Sequence, residues 1–379
     1  MNQKELGELR RRFRPDKSAV SRIHGCYVNA NKEIVSYLDE SLGMMPQDEA
    51  EKYLGLLKKA LSGTLGRNLI DIVFSTQQVA DSEEHRLLSA LRKSELKDSE
   101  VRKAFYEKVI NAIDMGDSNF VILLAHDAYD VPHRGKDDEV LEDGSETVFS
   151  YIVCCICPVK DGKVELGYFP GENEFHNCAS AQIISAPELG FMFPAFDDRA
   201  ANIYNALFYS RKPEEIHHEF IDAVFKTEPP LSAAEQKAAF QAALTEGLEA
   251  AYDLELAQAI HEQLSEKIEA HKESKNPEPL SMMVGEISAI LSDYGVDDVK
   301  VAAFQSKCAE HFGAGSVLTP ANLIDNGKFQ IKSGEISITI PPEQSYLVES
   351  RAIDGKKYIL IPAGETVEVN GQEVGISAQ

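Results

Sequence analysis

No apolar run in this 379-residue chain approaches the roughly 18 residues that mark a membrane helix; the longest, 120–125 and 151–157, are far shorter. Basic residues are scarce as well. The 38 Lys and Arg stand against 62 Asp and Glu, a formal net charge of −24, and such a surface repels nucleic acid and anionic lipid unless a local basic patch overrides it. Cysteines are few, six in all, with three crowded at Cys154, Cys155 and Cys157, which is not the spread of a disulfide-stapled secreted scaffold. They read as reduced thiols. The opening Met-Asn-Gln-Lys-Glu-Leu is charged at once and has no apolar core before a small-residue cleavage site, so export is not expected and the cytoplasm is the default compartment. No repeat of about 20 to 50 residues excludes solenoids and propellers. A Walker lysine loop, a Gly-x-Gly-x-x-Gly after a strand and a Gly-x-Ser-x-Gly elbow are all missing, which sets aside the nucleotide and α/β-hydrolase chemistry of those motifs.

What is present is globular: 43% hydrophobic and 26% charged residues, with length for two or three domains at roughly 150 residues each. Leu6, Leu9 and Phe13 sit at helical spacing among Arg10, Arg11, Arg12 and Arg14, predicting a short helix over 4–14. A hairpin over 23–38, a helix over 48–61, a strand at 68–74 and an interrupted helix over 82–113 follow. Stretches 119–126, 148–159 and 163–168 are rich in β-branched and aromatic residues, with Asp161-Gly162 as a turn signal. Between the first two lies the polar stretch 127–147, longer than an ordinary connection and so a binding loop or lid. Residues 198–209 and 213–225 read as helices, and Pro229-Pro230 marks a boundary before a helical stretch that runs to about 312. The chain closes with period-two segments at 335–340, 346–353, 357–361 and 367–369, separated by Asp354-Gly355 and Asn370-Gly371. The expected class is α+β: a mixed sheet with flanking helices over 1–227, a helical segment over 228–318 and a small antiparallel β unit over 319–379.

Three groups of residues invite chemistry. His126, Asp127, Asp130 and His133 follow an apolar strand, and Asp197, Asp198 and Arg199 follow another; folded together they would offer nitrogen and oxygen ligands to a divalent metal, with Arg199 on an anion. The plainer reading gives Asp127 and Asp130 to turns around Pro132 and Asp198 to a helix cap. Cys155, Cys157, His176 and Cys178 pair at i,i+2, so each pair shares one strand face and zinc would suit the set, although structural zinc favours wider Cys spacing and buried Cys is ordinary packing. The third group, Arg10 to Arg14, would grip RNA or pair with the protein's own acidic excess.

Residues 120–132, 151–159, 167–177, 189–209 and 347–363 resemble a family of proteins from Gram-positive anaerobic bacteria defined only as a domain of unknown function, and the resemblance covers nearly the whole chain. It implies a bacterial cytoplasmic protein and carries no activity, cofactor or catalytic residue with it. The leading expectation is a binding or regulatory protein that recognises a protein or small ligand through loops around 127–147 and 194–199, with no membrane partner. The alternative is a metal-dependent hydrolase or phosphoryl-transfer enzyme using His126, Asp127, Asp130, Asp197, Asp198 and Arg199. The third is a nucleic-acid binder acting through the arginine helix, which the net charge disfavours.

Overall fold

The computed structural model describes residues 1–134, 140–141, 147–163, 165–178, 181–313, 315–364 and 366–376. They form two compact units, Met1–Ser232 with Pro277–Pro279 and Ala233–Asn276 with Leu280–Gln379, and the fold is α+β.

In the first unit the helices are α1 (Gln3–Arg12), α2 (Gln47–Lys59), α3 (Thr76–Asp81), α4 (Glu83–Lys93), α5 (Ser99–Ala112) and α6 (His218–Phe225). The strands are β1 (Arg22–Val28), β2 (Ile34–Ser41), β3 (Leu69–Val73), β4 (Asn119–Val131), the two-residue β5 (His133–Arg134) and β6 (Val140–Leu141), β7 (Thr147–Asp161), β8 (Glu165–Phe169), β9 (Glu174–Cys178), β10 (Gln182–Ile184), β11 (Leu189–Phe193), β12 (Ala195–Asp197), β13 (Ala200–Asn202) and β14 (Asn205–Ser210). Eight of them make one sheet in the order β2-β1-β4-β7-β11-β14-β3, with β10 also on β7, and its ladders run antiparallel.

Helices cover both faces, so the central strands are apolar at consecutive positions rather than alternate ones. Along β4, Phe120, Ile122 and Leu124 pack with α4, α5 and α6, while Val121, Leu123 and Ala125 pack with Leu6 and Leu9 of α1 and Leu54 and Leu57 of α2. The period of two in side-chain direction sorts one run into two cores. At Gly190 a Cβ would lie 2.5 Å from the Cys154 carbonyl oxygen and 3.0 Å from the Ala60 Cβ, so glycine allows the end of α2 to press on the sheet.

Three local expectations change. Residues 198–209 are not a helix: β12 turns at Asp198-Arg199, both left-handed (φ 48° and 58°), into β13, and β14 follows. Asp-Arg lacks the glycine signature of such a turn; contacts with α1 hold it instead. Asp161-Gly162 does not close β7 onto β8, because β8 pairs with β9 beyond it. The presumed loop from Asp127 begins as strand, since β4 stays paired with β7 as far as Val131↔Thr147. Residues 135–139 and 142–146 of that stretch lie outside the described residues, as does the side chain of His133.

The second unit packs α7 (Ala233–Leu248), α8 (Leu254–Ser274), α9 (Val284–Asp293) and α10 (Asp298–Phe312) around Phe240, Leu244, Leu264, Leu291 and Phe304. Three hairpins follow, Phe329–Ser333 with Ile336–Ile340, Glu349–Ile353 with Lys356–Leu360, and Thr366–Val369 with Gln372–Gly375. Asp354-Gly355 and Asn370-Gly371 turn two of them with positive φ at both residues, as their sequences foretell.

Candidate functional site

His126 and Asp127 are neighbours on β4 and therefore face opposite sides of the sheet. Asp127, 2% exposed, looks toward α1. It accepts hydrogen bonds from Arg12 Nε (2.7 Å) and Nη2 (2.8 Å) and from the Tyr151 hydroxyl (2.6 Å). The Arg12 guanidinium lies 4.5 Å over the Tyr129 ring, and the Tyr129 hydroxyl donates to Glu8. Arg199 grips the same Glu8 through two nitrogens (2.8 and 3.2 Å), donates to the Pro132 carbonyl (3.1 Å) and sends its backbone N–H to Glu5 Oε1 (3.1 Å). Asp197 accepts from the Met1 ammonium at 3.2 Å and from Asn202 at 3.2 Å; against the burial that would raise it, that ammonium holds its carboxyl below the usual carboxylate range. Asp130 and Asp198 are exposed.

Among the described residues the expected metal cluster is therefore not assembled. Its acidic members and Arg199 are dispersed, and those on the α1 side are spent on fastening that helix. Among the described residues no three His, Cys, Asp or Glu side chains are grouped to hold a metal ion. The soft set divides in the same way. Cys155 and Cys157 are core residues with sulfurs 3.8 Å apart, whereas His176 and Cys178 lie on the separate β8–β9 hairpin, with His176 paired to Glu172 (2.9 Å) and Glu174 (3.5 Å). The Cys157 contact and burial push the Cys155 thiol well up, and burial first, then Cys157 and Cys26, does so at Cys154, so both stay protonated. Arg10 also turns inward, donating to the carbonyls of Leu61 (2.5 Å) and Gly63 (3.0 Å).

On the opposite face of β4 the structure forms a pocket that shares His126 alone with these motifs. The register Ile23↔Ala125 puts Arg22 and His24 of β1 on the side of His126, and His24↔Asp39 adds a carboxylate from β2. The turn from α4 to α5 closes over them. Glu95 and Leu96 are both left-handed (φ 53° and 61°), a costly conformation for a leucine, held because the Leu96 side chain is fully buried in the core and its N–H bonds the Leu91 carbonyl at 3.0 Å. Arg102, from the first turns of α5, donates to the Leu96 carbonyl. The resulting pocket, about 380 Å³, is lined by Arg22, His24, Asp39, Glu95, Lys97, Arg102 and His126, with Ala19, Ser21, Leu96 and Ala128.

Its charges are unevenly spent. Arg22 holds Asp39 (Nε to Oδ1, 2.8 Å) and Lys97 holds Glu95 (2.5 Å), while Arg102 has no carboxylate within ion-pair distance among the described residues. His24 is 5% exposed; its Nδ1 lies 3.3 Å from Asp39 Oδ1 but is not aligned to bond it, and finds no hydrogen-bond partner. Burial first, then Arg102, pushes its pKa below the usual 6.5. Burial does the same at His126, partly offset by Glu95 and Asp127, and His126 Nε2 lies 2.9 Å from Ser150 Oγ. A cationic fork and two desolvated imidazoles are complementary to a compact oxyanion, whose charge would restore the protons that burial removes. The sequence signal for this site was the alternation of Arg22 and His24, legible only once β1 is known to lie beside β4.

No helix among the described residues is long and apolar enough to cross a membrane. No curated protein is found to match the chain. Residues 1–372 match the profile of a family described as a domain of unknown function (DUF4317), and the chain belongs to that family.

Proposed function

We propose that this chain is a binding protein whose first unit takes up a small anionic metabolite, bearing a phosphate or clustered carboxylates, in the pocket of His24, Arg102 and His126. One observation carries the reading: in a chain of net charge −24, three cations and two histidines converge on one cavity against only two carboxylates. The volume falls within the roughly 300–1,000 Å³ range of small-molecule sites. The left-handed Glu95–Leu96 turn supports it, since strained backbone gathers at ligand clamps. Recognition then lies at the α4–α5 turn and the neighbouring strand ends, rather than at 127–147 or 194–199. The setting that goes with this reading is the cytoplasm of a Gram-positive anaerobe, in keeping with six free thiols.

Calorimetric titration of the full chain with inorganic phosphate and with citrate tests it. Saturable binding of at least one, weakened tenfold or more by Arg102→Gln, is the expected result. Heats that are absent for both anions, or equal in the variant, would remove the proposal.

A further inference from the structure

The second unit holds a pocket of its own, about 410 Å³, with a different chemistry. Its floor is made of core side chains: Phe240 and Leu244 of α7 and Leu323 are buried, and Ile260 of α8 closes it from the other side. The spacing on α7 explains why these groups meet, because Lys237, Phe240, Gln241 and Leu244 recur at i, i+3, i+4 and i+7 and so occupy one helix face. The rim is cationic. Lys237 from α7, Lys328 and Lys332 stand around the mouth, against one lining carboxylate, Asp325. Asp325 meets Lys328 at 3.7 Å, and among the described residues no carboxylate lies within ion-pair distance of Lys237 or Lys332. His261, also in the wall, is satisfied within the protein, with Nε2 3.0 Å from the Asp325 carbonyl oxygen and Nδ1 3.4 Å from Ser265 Oγ.

An apolar floor under a lysine rim selects a ligand with two ends. A phosphate or a sugar would leave the floor unfilled, and a neutral hydrocarbon would leave the rim unused. We infer that this pocket binds an amphipathic carboxylate, with its hydrocarbon body on Phe240, Leu244 and Ile260 and its carboxylate at Lys237 and Lys332. The site is separate from the histidine pocket and does not rest on the function proposed for it.

Decanoate, held below its micelle concentration, is the probe, with decyltrimethylammonium as the cationic control. Calorimetry on the full chain is expected to show saturable decanoate binding and none of the cation. Lys237→Glu with Lys332→Glu, both surface changes that leave the core intact, is expected to weaken decanoate tenfold or more, and Ala257→Phe, which fills the cavity, to abolish it. Arg102→Gln is expected to leave decanoate binding unchanged. Failure of decanoate to bind, equal binding of the cationic control, or undiminished affinity in the double lysine variant would each overturn the inference.

Discussion

Asp127→Ala is expected to lower the unfolding free energy by about 3–5 kcal/mol, the usual cost of removing one partner from a buried ion pair. The carboxylate is almost completely buried and carries three donated hydrogen bonds, two from Arg12 and one from Tyr151. Its loss leaves the fully buried Tyr151 hydroxyl without its acceptor and the guanidinium, 15% exposed, with the Ala128 carbonyl, and an unsatisfied buried donor costs far more than a satisfied one contributes. Arg12 also lies over Tyr129, whose hydroxyl bonds the Glu8 that Arg199 holds. Loosening Arg12 therefore loosens the whole seam between α1 and the sheet. Asp130→Ala, three residues along but exposed, is expected to leave the urea midpoint where it is. Midpoints from urea unfolding, with divalent metal and with chelator, check both claims. A cost below about 1 kcal/mol for Asp127→Ala, or a midpoint that follows the metal, would contradict the structural role assigned to this residue.

The second large effect is on pH dependence. His24 is faced by Arg102 from α5, Asp39 from β2 and Arg22 on its own strand; His126 is faced by Glu95 and Lys97 from the turn, Arg92 from α4 and its neighbour Asp127. Both titrate below the ordinary value. Above about pH 6.5 the folded and unfolded chains are alike at these sites, so nothing is gained or lost. As pH falls through 6.5 the unfolded chain takes up protons that the folded chain refuses, and stability declines until the folded pKa values are passed. His217 and His261, also depressed chiefly by burial, add to the same slope. The carboxylates held low by cations, Asp39 and Glu84 among them, lose their contribution in a lower window near and below pH 4, so the two effects separate. Urea unfolding at intervals from pH 8 to pH 5 is expected to show stability falling with acid, and His24→Gln with His126→Gln to flatten the slope. A flat wild-type curve across that interval would contradict the assignment.

Much of the frame was legible from local signals. Asp354-Gly355 and Asn370-Gly371 specify turns through residues that tolerate positive φ, and the apolar runs at 120–125 and 151–157 announce strands covered on both faces. Asp198-Arg199 was not legible, because its left-handed turn is held by Glu5 and Glu8 nearly two hundred residues earlier. Asp127 stood out as a residue, but its role depends on Arg12, which meets it only when α1 docks on the sheet. The histidine pocket, His126 apart, escaped for the same reason. Arg22 and His24 meet His126 through the β1–β4 ladder, and Arg102 and Leu96 join through a strained turn that no local pattern encodes.

The most direct test of the central claim is an NMR titration of the imidazole rings of His24 and His126, with and without inorganic phosphate, each signal assigned through its His→Gln variant. The account predicts that both rings titrate below 6.5 in the free protein and that phosphate raises both values, the shift being lost in Arg102→Gln. Ring titrations that saturating phosphate leaves unmoved would contradict an anion site between these histidines.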